Sequence, residues 1–124
     1  MKLTTTQAAS AVIFTLLPAA SANSCSYKMN QFSTPNVTIP TSISYDVWAQ
    51  NVYDISGICG GLWDNLKRFG VCATPSQTYC GGIESTHILN WRFSVTIGCN
   101  EGMVHSTWWE ATKNNFGSIN CLPA

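Results

Sequence analysis

The sequence has 124 residues, with six lysines and arginines against six aspartates and glutamates, and six cysteines. That length holds one domain. A charge balance near zero argues against a protein that coats nucleic acid or lies on a membrane surface, since both need a basic field.

The first residues have the layout of an export signal. Lys2 supplies a small positive region, Ala8 to Leu17 is an apolar run too short to span a bilayer, and Ala20-Ser21-Ala22 is an A-x-A cleavage site. A secretory signal peptide is therefore expected over residues 1–22 and an exported domain over residues 23–124. No second apolar run of spanning length follows, and Leu122-Pro123-Ala124 is no lipid-anchor tail, so no membrane anchor is expected. All six cysteines lie after the signal: Cys25, Cys59, Cys72, Cys80, Cys99 and Cys121. An even count in a short exported chain predicts a disulfide framework. With no C-x-x-C and no H-x-x-x-H spacing, neither a metal nor another cofactor is expected.

Residues 23–41 are polar and read as an irregular arm pinned by Cys25, with Pro35 and Pro40 framing Asn36-Val37-Thr38, a sequon that makes Asn36 a candidate N-glycosylation site. Ile43, Tyr45, Val47 and Ala49 alternate with Ser44, Asp46, Trp48 and Gln50, predicting a first strand from about Ser42 to Tyr53. Ser56 is then a candidate cap for a helix with Ile58, Leu62, Leu66 and Phe69 on its apolar stripe and Gly70 as its stop. Gly60 and Gly61 would weaken that helix by about 1 kcal/mol each relative to alanine, a cost that a close approach to the sheet would offset; the alternative is that they mark a frayed first turn.

Cys72 to Cys80 reads as a short strand that Pro75 confines to an edge, and Gly81-Gly82 as a turn. Thr86 to Cys99 is the longest strand pattern: His87, Leu89, Trp91, Phe93, Val95 and Ile97 share one face. Asn100 caps a second helix, with Glu101 in its first turn, Val104, Trp108 and Ala111 as its stripe and Lys113 near its end. Phe116 to Cys121 reads as a short last strand.

The resulting order, β-α-β-β-α-β, predicts an α+β sandwich with two helices on one side of an antiparallel sheet. An all-β barrel, with the helical segments misread, is the alternative. Six cysteines allow about 15 pairings. In the sandwich, only Cys59 and Cys80 lie at one end, Cys72 and Cys99 end one hairpin, and Cys25 and Cys121 remain. The expected bridges are therefore Cys25–Cys121, Cys59–Cys80 and Cys72–Cys99.

No catalytic residue is assigned. Glu84, His87, Arg92 and His105 contain the base, acid and cation that RNA cleavage would need, which makes a secreted ribonuclease the main alternative function. The tyrosine-x-histidine pair of the small guanyl-specific fungal ribonucleases has no match here. There is no G-x-S-x-G elbow and no glycine loop with phosphate-binding flanks. Five tryptophans are present. Trp91 and Trp108 fall on apolar faces, whereas Trp48 falls on the polar side of its strand and Trp109 beside His105. Trp48 and Trp109 are therefore the candidate binding residues, expected to be more exposed than the other two. Lys67-Arg68 is a dibasic pair that the predicted helix should shield from processing proteases.

A signal peptide, about a hundred further residues with six cysteines, and no enzyme motif together resemble the small cysteine-rich secreted effectors of plant-associated fungi. The element order is similar to that of the viral killer-toxin subunits of smut fungi. Trp91-Arg92-Phe93 is similar to a W-R-aromatic strand motif of another avirulence effector group, although Ser94 and Val95 stand where that group has basic residues. The resemblance implies a non-enzymatic virulence protein or toxin that binds a host or competitor protein. A ligand-binding or inhibitory module is a further alternative.

Overall fold

The computed structural model describes residues 23–124, so the expected signal peptide over residues 1–22 lies outside the described residues. The fold is α+β, with strands β1 (Ser24–Ser33), β2 (Thr38–Ala49), β3 (Ser76–Ile83), β4 (Ile88–Val95) and β5 (Cys121–Pro123) and helices α1 (Ile55–Leu66) and α2 (Glu101–Thr112). The strands form one sheet in the order β3-β4-β2-β1-β5. Neighbours are antiparallel except β5, which runs parallel to β1, so the sheet is mixed rather than wholly antiparallel.

The expected irregular arm is a strand. In Cys25-Ser26-Tyr27-Lys28-Met29-Asn30 apolar and polar residues alternate, and Cys25 is buried while its neighbours are not. Thr34 and Val37 exchange backbone hydrogen bonds of 2.7 and 3.3 Å around Pro35-Asn36, closing a tight hairpin between β1 and β2. Pro40 is tolerated because the register steps from Asn30↔Ser42 to Gln31↔Pro40, leaving Thr41 as the extra residue of a bulge. With β1 inserted, β5 lies beside it and not beside β2.

Both helices cover one face of the sheet. Asp54, two residues before the expected Ser56, caps α1 by accepting the Gly57 N–H at 3.1 Å. The buried residues of α1 are Ile55, Cys59, Leu62 and Leu66, and the helix stops before Gly70 is reached. Trp63 of α1 meets Trp91 and Phe93 of β4, each at 6.1 Å between ring centroids. A Cβ on Gly61 would stand 3.5 Å from the Ala111 Cβ of α2, so the close approach expected of this glycine is to the other helix, while Gly60 faces open space. Asn100 caps α2 as expected, accepting the Met103 N–H at 3.1 Å.

Gly81 and Gly82 lie inside β3 instead of forming a turn. A Cβ on Gly82 would fall 1.9 Å from the Ile88 carbonyl oxygen, so only glycine permits the β3–β4 pairing there. The chain reverses instead through a 3-10 turn, Glu84–Thr86, and His87, whose φ of 56° is left-handed. His87 therefore precedes the strand and does not share its buried face. Lys67 and Arg68 lie just past α1 and are exposed; the Lys67 N–H still bonds to Trp63 O and the Arg68 N–H to Asn65 O, both at 3.2 Å.

The three bridges are Cys25–Cys121, Cys59–Cys80 and Cys72–Cys99, the pairs expected from the topology. Among the described residues no helix is long and apolar enough to cross a membrane, and no three metal-binding side chains converge.

Tyr45 stands at the centre of the covered face, stacked on Phe93 at 5.4 Å, with its hydroxyl donating to Cys99 O at 3.2 Å. Burial, then the charges of Glu101 and Tyr27, push its pKa from 10 up to about 12. An acid whose folded pKa is raised stabilises the fold fully below the unfolded value near pH 10, and that contribution is lost as the pH climbs toward 12. A phenolate absorbance step near pH 12 is expected in the native protein, absent in Tyr45→Phe. A titration in which Tyr45→Phe leaves the high-pH limb unchanged would refute this.

Candidate functional site

The other face of the sheet carries no helix, and the strand register arranges its side chains in rows. Trp48 lies opposite Asn90, which lies opposite Gly81. One row along, Asp46 lies opposite Arg92, which lies opposite Tyr79. In the next, Ser44 lies opposite Ser94.

Hydrogen bonds cross four strands on this face. The Asn30 amide of β1 donates to the Ser42 and Ser44 hydroxyls at 2.9 Å each. The Ser44 and Ser94 hydroxyls are 2.7 Å apart, and Ser94 donates to Gln77 Oε1 of β3 at 3.2 Å. Since Ser94 donates onward, it accepts from Ser44, and each hydroxyl has one defined direction. Asn90 Nδ2 donates to Asp46 Oδ1 at 2.6 Å and to Val47 O at 3.0 Å. Such a network fixes polar side chains that would otherwise sample several rotamers.

Beyond it the face turns apolar. Trp48, Tyr79, Ile83, Ile88, Asn90 and Arg92 are among the residues lining a cleft of about 420 Å³. Tyr79 lies across Gly81, where an added Cβ would be 3.0 Å from the phenol oxygen. The Arg92 guanidinium carbon sits 4.7 Å from the centre of the Tyr79 ring, within cation–π range.

The tryptophans divide as their periodicity predicts: Trp48 is 46% and Trp109 51% exposed, against 0% for Trp91 and 1% for Trp108. The two exposed ones do not form a single patch. Trp48 is on the helix-free face, whereas Trp109 borders a separate cleft with His105, Glu110 and Asn120, and the two clefts share no lining residue.

Nor do His87, Arg92 and His105, considered for RNA cleavage, converge. His87 packs on Tyr53 with ring centroids 3.9 Å apart, Arg92 lies over Tyr79, and His105 Nε2 accepts the Cys121 N–H at 3.3 Å, tying α2 to β5. Glu84 begins the 3-10 turn. Tyr79 and Ile83 line the cleft, and Asp46 lines an adjoining hollow that shares Arg92 with it; none of the three was singled out by sequence. Extending the β3 pattern through Gly81-Gly82 would have placed Tyr79 and Ile83 on one face.

No protein-family model, curated protein or solved structure matches this chain.

Proposed function

We propose that this chain is an exported, non-enzymatic effector or toxin of the small cysteine-rich kind, and that it binds a host or competitor protein through the helix-free face of its sheet. The observation that carries this reading is the large exposed ring of Trp48 on that face, beside the exposed Tyr79 and Ile83. The signal-like first residues and the paired cysteines support export. Asn36, exposed at the tip of the β1–β2 hairpin, is the proposed site of an N-linked glycan.

Affinity capture from host extract with wild-type, Trp48→Ala and Trp109→Ala baits tests the surface. A partner retained by wild type and Trp109→Ala but lost by Trp48→Ala is expected. Cleavage of total RNA that disappears in His105→Ala would overturn the binding reading in favour of a nuclease.

A further inference from the structure

We propose that the cleft between Trp48 and Tyr79 is a carbohydrate site, taking a pyranose ring with two adjacent hydroxyls. The proposal rests on the reading of the helix-free face as the recognition surface, and it names the chemical group recognised there.

The cleft combines one open aromatic platform with a few oriented polar groups, as small-ligand sites do. The Trp48 ring is 46% exposed, and the C–H face of a sugar ring is apolar enough to stack on such a surface. Asn90, opposite Trp48, is only 5% exposed. Both its amide hydrogens are spent, on Asp46 Oδ1 and Val47 O, so what it can offer a ligand is an acceptor. Asp46 has a second carboxylate oxygen, also an acceptor. Directly opposite Asp46 stands Arg92, a donor held over Tyr79. Asp46 and Arg92 line a hollow that adjoins the Trp48 cleft, Arg92 belonging to both, so an acceptor and a donor face one space at the border of the cleft from paired positions whose Cβ atoms lie about 5 Å apart.

Adjacent sugar hydroxyls fit that pair, because each hydroxyl both donates and accepts: one donates to Asp46 while its neighbour accepts from Arg92. Other ligands fit less well. A phosphate or sulfate on Arg92 would also meet the Asp46 carboxylate. An extended peptide binds sheets by adding to an edge; the edge here is β3, whereas Trp48, Asp46, Asn90 and Arg92 stand on β2 and β4, inside the sheet, where an added strand would not cover them. Because the strands and the Asp46–Asn90 bond hold the groups in place beforehand, little ordering cost remains for the ligand to meet.

The test follows the five tryptophan indole N–H signals by NMR while the exported protein is titrated with millimolar methyl glucoside, methyl mannoside, methyl galactoside and N,N′-diacetylchitobiose. A saturable shift of the Trp48 signal with at least one of these, and none of Trp109, is expected. Trp48→Ala and Asp46→Asn should each weaken binding by about tenfold or more, with Trp48→Phe retaining part of it and Trp109→Ala all of it. The absence of a saturable shift with any of the four, or binding that survives in Trp48→Ala, would overturn the proposal. Where capture of a protein partner depends on Trp48, removing that partner's glycans enzymatically separates the two readings. Lost capture supports the sugar site; retained capture overturns it and leaves the protein-binding function standing.

Discussion

Replacing Cys25 and Cys121 together by alanine is expected to lower the unfolding free energy by about 4–5 kcal/mol, the largest loss among the three bridges. The pair closes a segment of 96 residues, against 21 for Cys59–Cys80 and 27 for Cys72–Cys99. Loop-closure entropy then gives roughly 4.7, 3.3 and 3.5 kcal/mol respectively. Local structure offers little substitute, because β5 is three residues long and pairs with β1 only from Cys25 to Tyr27. Against a typical domain stability of about 5–15 kcal/mol, the loss removes a large part of what holds the chain folded. Urea unfolding of the three double-alanine variants, followed by tryptophan fluorescence, checks the order. If the Cys25–Cys121 variant is the least affected, the entropic account is wrong for this fold.

Trp91→Ala is expected to cost about 3–5 kcal/mol. The side chain is fully buried at the middle of β4, 4.6 Å from Phe93 and 6.1 Å from Trp63 by ring centroids, so alanine would leave a cavity between the sheet and α1. Trp91→Phe should cost distinctly less, for two reasons. It keeps a ring against Phe93. It also removes the indole N–H, which is buried with no hydrogen-bond partner among the described residues, a situation that costs about 1–3 kcal/mol. Equal losses in the two variants, measured by the same urea unfolding, would show that aromatic packing here matters less than the shape of the indole.

Periodicity by itself determined which residues share a face within a strand, but not where the strand ends: Ile97, expected on the buried face, lies beyond Val95 and is exposed. The alternation from Leu89 to Val95 and from Ile43 to Ala49 placed Trp91 in the core and Trp48 outside it, because side chains on a strand alternate whatever the strand pairs with. Asn100 and Glu101 marked the start of α2, since capping is local chemistry. Even the cysteine pairs followed, because Cys59 and Cys80 alone share one end of the sheet and, among the four at the other, Cys72 and Cys99 flank one hairpin, features that survive errors of a few residues in the element boundaries.

Tertiary contact decided the rest. The expected arm, residues 23–41, became β1 and part of β2 because the hairpin partner satisfies its backbone and a bulge accommodates Pro40. Gly81-Gly82, locally a turn signal, stayed extended because the Ile88 carbonyl approaches where a side chain would be. The candidate site itself is a product of register. Trp48, Asp46, Asn90, Arg92 and Tyr79 come from three strands, and no local pattern states which residue will stand opposite which; that is set only when β2, β4 and β3 pair.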